Sequence, residues 1–305
     1  MGGGGTGTNT KYGATVDTFL GDVDSTGKLL KPTAQTDLVF DGVTDLDDNA
    51  LEYRFYKNPV INSVSFPQLV QISGSYSMAN CFRETKITNV SFPVLQSITG
   101  ANSFAYAFEN NDSIQSIEFP SLINISGDGD SVFAFAFYGC DNLTSVSFPV
   151  LEEITGPSAL NGCFNSCANL INVQFPKLKK IGSDTATSGH GNQFKSAFSG
   201  TPKLKSLEFP ELTAIYCSGI TSTYGTFYLC DRIQKLYFPK LTVIDKSPVY
   251  ISVATSEAQK YIFSGCSNLT EIHFGAANQA AIEASPGYST LWGRGANNAT
   301  VYFDL

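Results

Sequence analysis

Eight times along this chain a phenylalanine closes a short apolar alternation, and in seven of the eight a proline follows it. No other feature narrows the choice of fold as much. The pairs are Phe66-Pro67, Phe92-Pro93, Phe119-Pro120, Phe148-Pro149, Phe175-Pro176, Phe209-Pro210 and Phe238-Pro239, with Phe274-Gly275 as a degenerate eighth. Successive spacings are 26, 27, 29, 27, 34, 29 and 36 residues, the range expected of repeats that stack on one another rather than fold alone.

Counted back from each anchor Phe, apolar residues keep their places. Two before stand Val64, Val90, Ile117, Val146, Val173, Leu207, Leu236 and Ile272. Five before stand Ile61, Ile87, Ile114, Leu143, Leu170, Leu204, Ile233 and Leu269. Eleven before lies a second Phe in seven of the eight units, while the second unit has lost a residue and holds Phe82 at ten. The period-two pair predicts a strand with one buried face. Proline, which cannot donate to a ladder, predicts the strand's end. A second apolar pair, such as Leu151 and Ile154, follows around a bend. A variable Gly/Ser-rich stretch and an aromatic segment such as SVFAFAF then lead to the next strand. Each unit is thus one coil of a solenoid, whose apolar side is buried only by its neighbours. Eight strands at about 4.8 Å would make an array roughly 35–40 Å long.

The pattern LxxVxFPxLxxI, followed by F-xx-C-xxL, resembles the BspA-like leucine-rich repeats from about Leu38 to the C-terminus. It departs from them in its long insertions and in Phe where the family often has Leu. The resemblance implies a mainly β fold with short helical turns: a leucine-rich-repeat solenoid of about eight coils, residues 37–305, with N- and C-terminal caps. LVFDGVTDLDDNAL places Phe40 one repeat before Phe66, and ATVYFDL reads as a closing strand, with Trp292 as a plug just upstream. Residues 1–36 are expected to be an N-terminal extension or attachment segment.

Composition excludes some partners. A net charge of -8 offers little to nucleic-acid phosphates. No apolar run approaches the roughly 20 residues that span a bilayer. MGGGGTGTNTKYG has neither the basic nor the apolar region of a secretory signal.

Candidate chemistry is sparse. Cys140, Cys167, Cys230 and Cys266 lie eight before their anchors, a column that also holds Asn58, Glu84, Asn111 and Thr201. Such a mixture suits a small group facing a tight turn, so the cysteines are expected to fill core rather than to bind metal or form disulfides. His190, in an insertion, and His273, one before Phe274, are the two histidines. Neither falls in register with a nucleophile or paired carboxylates. GDVDSTGKL partly matches a calcium loop, but its twelfth position is Thr33 where a bidentate Glu is needed, so a tight turn is expected. No catalytic residue, metal or cofactor is therefore assigned.

What remains is the outward strand face. One before the anchors stand Ser65, Ser91, Glu118, Ser147, Gln174, Glu208, Tyr237 and His273. Three before, small polar residues give way to Lys235 and Glu271. Larger and charged groups thus gather toward one end, beside a basic cluster of Lys177, Lys179, Lys180, Lys203 and Lys205. The ligand-binding residues expected are Gln174, Lys177, Lys205, Glu208, Lys235, Tyr237, Lys240 and His273. The insertions, lengthening from SGSYSMAN to GSDTATSGHGNQFK and DKSPVYISVATSEAQK, are a second candidate surface. The family resemblance implies a non-enzymatic adhesion or recognition protein that meets a host surface protein or glycan. Moreover, KYGATVDTFLGDVDSTGKL is similar to the openings of repeat proteins encoded in phage and prophage regions. That similarity implies a tail-fibre or receptor-binding component of a virion, joined to other subunits through residues 1–36; the alternative is a bacterial cell-surface adhesin. The expected location is extracellular or virion-associated, with neither nucleic acid nor membrane insertion, and a homo-oligomer among the arrangements allowed.

Overall fold

The computed structural model describes residues 37–127, 131–183, 193–216, 227, 229–244, 263, 265–285 and 299–305. The expectations for residues 1–36, for His190, for Trp292 and for most of the two longest insertions lie outside these residues.

Each Val-x-Phe unit forms a short parallel strand. Ten of them line one side of the stack: β1 (Asp37–Val39), β2 (Ser63–Ser65), β4 (Asn89–Ser91), β6 (Ser116–Glu118), β8 (Ser145–Ser147), β10 (Asn172–Gln174), β12 (Ser206–Glu208), β14 (Lys235–Phe238), β16 (Glu271–Phe274) and β17 (Thr300–Phe303). Pairing is in register with the repeat, so Val146 lies opposite both Ile117 and Val173. After the Pro bend, the second apolar pair makes a two-residue strand on another side. These strands are β3 (Gln71–Ile72), β5 (Ser97–Ile98), β7 (Asn124–Ile125), β9 (Glu153–Ile154), β11 (Lys180–Ile181), β13 (Ala214–Ile215) and β15 (Val243–Ile244). They form one uninterrupted parallel sheet. Seven coils therefore carry both strands, and the β1 and β17 ends complete the expected solenoid with its caps.

The returning segment is the third side, and it is built from β-turns. Alternate backbone N–H groups bond the next coil, as in Asn49 to Ser75 (2.8 Å), Tyr53 to Ala79 (3.0 Å) and Lys57 to Arg83 (2.9 Å). The N–H groups between them close turns on their own coil, as in Ala50 to Asp47 (3.2 Å) and Arg54 to Leu51 (3.1 Å). The third residue of alternate turns takes a left-handed φ near +55°, at Asn49, Tyr53 and Lys57 and again at Tyr76, Asn80 and Glu84. Asparagine tolerates that conformation; tyrosine holds it at a cost of order 1–3 kcal/mol. SGSYSMAN, expected as an insertion, belongs to this ribbon. Tyr76 N–H bonds Ala101 and Met78 N–H bonds Ser103, while Ser77, Met78, Ala79 and Asn80 are buried. Helix is confined, among the described residues, to a 3₁₀ turn (Ala276–Asn278) and α1 (Gln279–Ala284) beside the last coils.

The core is a set of ring stacks. The anchors run from Phe40 to Phe303 in nine successive stacked contacts with centroids 4.5 to 5.9 Å apart. The second column stacks from Phe55 through Phe82, Phe108, Phe137 and Phe164 to Phe198. It then shifts by one turn, since Phe194 stacks on both Phe198 and Phe227. Backbones approach closely where the Gly/Ser stretch crosses the stack: a Cβ on Gly100 would lie 1.9 Å from the Gly74 carbonyl oxygen.

The cysteine column is core, as expected. All six described cysteines are unbridged and buried. Cys140 Sγ donates to the Phe108 carbonyl (3.1 Å), Cys167 to Phe137 (2.9 Å) and Cys266 to Phe227 (3.0 Å). Burial pushes the thiols up, to about 12 at Cys167 and Cys230. One assignment in this column changes. The missing residue of the second unit puts Thr85, bonded to the Phe82 carbonyl at 2.7 Å, in the buried place. Glu84 is partly exposed instead and pairs with Lys57 at 3.3 Å.

Candidate recognition face

Period two turns the residues one and three before each anchor away from the core. In-register pairing then aligns them across the strands. One row contains Ser65 and Ser91, then Glu118, Ser147 and Gln174, then Glu208, Tyr237, His273 and Tyr302.

The C-terminal end of this face is tied together. The His273 ring is stacked between Tyr237 (4.8 Å) and Tyr302 (4.7 Å). Its Nδ1 lies 2.9 Å from the Asp304 carboxylate and its Nε2 3.1 Å from Glu271. Glu271 also pairs with Lys235 at 2.8 Å. The Lys235 hydrogen bond, and after it the one from His273, holds the Glu271 carboxyl below its usual range. The Lys235 ammonium is raised in turn, first by its hydrogen bond to Glu271. Asp304 could orient an imidazole as a charge-relay carboxylate does, but Nε2 faces Glu271, a carboxylate, instead of a hydroxyl or thiol. The arrangement orders the imidazole between two carboxylates, without the hydroxyl or thiol partner at Nε2 that nucleophilic catalysis uses.

Of the eight residues expected to bind, Lys235, Tyr237 and His273 come together here, with Glu208 opposite Tyr237. Gln174, on β10, stands one strand beyond Glu208 in the same row, between β8 and β12. Lys177 and Lys240 do not face this row: they sit on the bend after the proline, where Lys240 pairs with Glu211 at 2.8 Å. The charges of Lys177 and Lys179 add to that bond in lowering the Glu211 carboxyl. Lys205 is exposed at the entry to β12. The rest of the basic cluster is dispersed among local partners. Lys179 bonds Glu152 (2.7 Å), Lys203 bonds Asn169, and Lys180 lies 5.3 Å from the centre of the Tyr216 ring. Tyr302 and Asp304 were not among the expected site residues. Aligning ATVYFDL on Phe303 as a further anchor puts Tyr302 in the His273 row.

The strand face is also broken in two places. Its ladder falls into β1-β2-β4, β6-β8-β10 and β12-β14-β16-β17. Elsewhere the anchor N–H donates across to the next strand, as Phe66 does to Ser91 (2.9 Å) and Phe148 to Gln174 (3.0 Å). Among the described residues no such bond joins Phe92 to Glu118 or Phe175 to Glu208. The other two sides stay paired at both breaks, through Ile98 opposite Ile125 and Ile181 opposite Ile215, and through Phe82 N–H to Ala107 (2.8 Å) and Phe164 N–H to Ala197 (3.0 Å). The coils thus part as wedges that open on the strand face. The anchor rings stay stacked across the breaks, 5.6 and 5.7 Å apart, within the 4.5 to 5.9 Å range of the whole column. A cleft of about 590 Å³ runs over the first break, from Asn89 to Gln174. One of about 350 Å³ lies over the second, from Gln174 to Glu208 and Pro210.

Parallel strands in register, a proline bend and a continuous aromatic core define a leucine-rich-repeat solenoid. Comparison with known families then specifies the type. The family model described as a BspA type leucine rich repeat region matches six copies, over residues 48–187, 79–250 and 195–285. The chain belongs to that family. Among solved structures, a leucine rich cell surface protein from Faecalibacterium prausnitzii A2-165 is 17% identical, with 80% of this chain and 62% of that one covered and a TM-score of 0.34. A leucine-rich repeat protein from Eubacterium ventriosum ATCC 27560 is 13% identical, covering 88% of this chain and 65% of that one, with a TM-score of 0.36. The pneumococcal vaccine antigen PcpA is 13% identical, covering 87% and 72%, with a TM-score of 0.27. This chain spans less than two thirds of the first two. No curated protein matches. No helix among the described residues is long and apolar enough to cross a membrane.

Proposed function

We propose that the chain is a non-enzymatic recognition protein, displayed at a surface and making adhesive contacts through its outward strand face. The observation that carries this reading is the division of labour within each strand. Inward residues build the ring stacks, whereas outward residues form a continuous polar row that takes no part in them. The row ends in a prearranged group of Lys235, Tyr237, Glu271, His273 and Asp304. Ordered aromatic and charged side chains on a rigid scaffold suit recognition, because little entropy is lost when a partner docks.

The partner proposed is a surface protein or glycan, and membership of the BspA-type family favours a cell surface as the place of display. The virion setting, with attachment through residues 1–36, rests on the opening segment alone. Binding of the labelled full chain to bacterial and epithelial cells, and to immobilised matrix proteins, tests the reading. Tyr237→Ala combined with Lys235→Glu should weaken cell binding at least roughly tenfold, the size expected for a contact worth more than about 1.4 kcal/mol. Undiminished binding by a folded double variant would exclude this end of the face. Failure of the wild-type chain to bind any surface would exclude the function.

A further inference from the structure

The two breaks in the strand ladder have no role in holding the solenoid, since both other sides pair across them. At the first, the Phe92 N–H and the Glu118 carbonyl lack the bond that their counterparts make. At the second, so do the Phe175 N–H and the Glu208 carbonyl. Each opening thus offers a backbone donor and acceptor to whatever lies above, with a Glu side chain on its far bank. Between the openings the row is Glu118, Ser147 and Gln174, all polar and none basic. The two clefts share Gln174 and together make one furrow across the strands from β4 to β12.

We propose that this furrow binds a linear, uncharged polysaccharide lying across the strands. The inference rests on the reading of the strand face as a recognition surface and names the chemical class it recognises. Three observations converge. First, hydroxyl groups both donate and accept, so a sugar can satisfy an N–H and a C=O left open side by side. A carboxylate or sulfate ester could use only the donors, and would meet the Glu118 and Glu208 side chains. Second, a polymer lying across parallel strands meets the same row every 4.8 Å or so, close to the length of one pyranose ring, so successive sugars face successive coils. Third, small Ser91 and Ser147 side chains leave room for a ring, with Gln174 as a hydrogen-bonding post between the clefts. An extended peptide fits less well. It gains backbone bonds by lying along a strand edge, whereas these openings lie between strands that remain stacked.

The openings are three strand spacings apart, about 14 Å, so affinity should rise with chain length and level off at about four sugars. The experiment titrates the full chain with size series of cello-, manno- and fully N-acetylated chito-oligosaccharides, from the disaccharide upward, with hyaluronan and heparin as acidic polymers. At least one neutral series should bind with that length dependence, and the acidic polymers should not. Gln174→Ala should weaken the bound series roughly tenfold through the lost hydrogen bonds. Ser147→Lys should abolish binding by filling the middle of the furrow. Both side chains lie outside the core, and circular dichroism verifies folding.

The inference is overturned if no neutral series binds, if affinity is indifferent to length, if the acidic polymers bind better, or if a folded Ser147→Lys variant binds as well as wild type. Cell binding separates this failure from that of the broader reading. Attachment that survives Ser147→Lys but is lost in the Tyr237 and Lys235 double variant leaves recognition standing and rejects the furrow. Capture of an immobilised protein with no response to oligosaccharides makes the occupant a protein and rejects it equally.

Discussion

Truncating one anchor ring in the middle of the stack should cost far more than truncating the same ring at its end. Phe148 is fully buried. It lies 5.1 Å from the Phe119 ring and 5.3 Å from Phe175, both parallel to it, and 6.4 Å from Phe133 edge-on. Phe148→Ala removes a buried ring and leaves a void between coils that cannot move together, because the other two sides fix their spacing. A loss of about 3–5 kcal/mol is expected, of which each ring contact supplies about 0.5–1.5 kcal/mol. Among the described residues Phe303 has one ring neighbour, Phe274 at 5.6 Å, and it is only partly buried, so Phe303→Ala should cost no more than about 2 kcal/mol. Phe148→Leu should recover about half the loss through its volume while forfeiting the stacking. Urea titration followed by circular dichroism gives the order of stability. Native-state hydrogen exchange shows where it is lost, and Phe148→Ala should release amides on both sides of its coil, between about Phe119 and Phe175, because repeat stability is a sum of neighbour interfaces. Equal costs for Phe148→Ala and Phe303→Ala would refute the claim that the ring column carries the fold.

Other consequences follow from single positions. Gly100→Ala places a methyl 1.9 Å from the Gly74 carbonyl oxygen, backbone that cannot yield, and should destabilise by about 3 kcal/mol or more. Gly42→Ala meets open space at φ +78° and should cost about 1–2 kcal/mol; a urea comparison measures both. The six described thiols should resist iodoacetamide at pH 8 until urea opens the coils, with peptide mapping as the readout, since burial raises every one of them and the thiolate is the reactive form. Burial also raises the Glu109 carboxyl, although Arg83 at 3.0 Å works against it. The folded state therefore holds that proton more tightly than the unfolded chain, and stability falls as pH rises from the unfolded value of about 4.3 through the folded one. Glu109→Gln should stabilise at pH 7 and make no difference near pH 4, by thermal unfolding across that range.

The core was legible because a stacked repeat writes it as columns. Val146, Phe148 and Leu143 hold the same offsets as Val173, Phe175 and Leu170, and stacking converts equal offsets into contact. The second strand was only half legible, for Leu151 and Ile154 announced a bend and a buried pair but no ladder. The turn ribbon was hidden, since its inter-coil bonds come from the backbone of Asn49, Tyr53 or Tyr76 and its left-handed residues share neither type nor hydropathy. SGSYSMAN therefore looked like a loop although half of it is core. At the recognition face, offsets found the row through Tyr237 and His273, but not the partners that order it. Asp304 reaches His273 only because the closing strand adds one more register position. Lys177 and Lys240 lie on the bend instead of in the row for the converse reason: proximity in sequence to the anchor says nothing of which side of the bend a side chain leaves from.

The two ladder breaks show how such a scaffold tolerates an interrupted strand face. A coil with a single paired side could not lose that pairing and stay attached. Here up to three runs of hydrogen bonds and two columns of rings join neighbouring coils, so opening one run between Phe92 and Glu118 leaves the second sheet, the turn ribbon and the 5.6 Å ring contact in place. The cost is confined to a few backbone groups that water, or a ligand, can satisfy. The side chains of Ser147 and Gln174 are not needed to fill the core, while their carbonyls still accept the Phe119 and Phe148 N–H bonds at 3.0 Å each, so side-chain chemistry can answer to a partner without disturbing the coil. A repeat whose sides are redundant in this way can vary its outward strand face coil by coil while Phe40 to Phe303 remain one continuous stack.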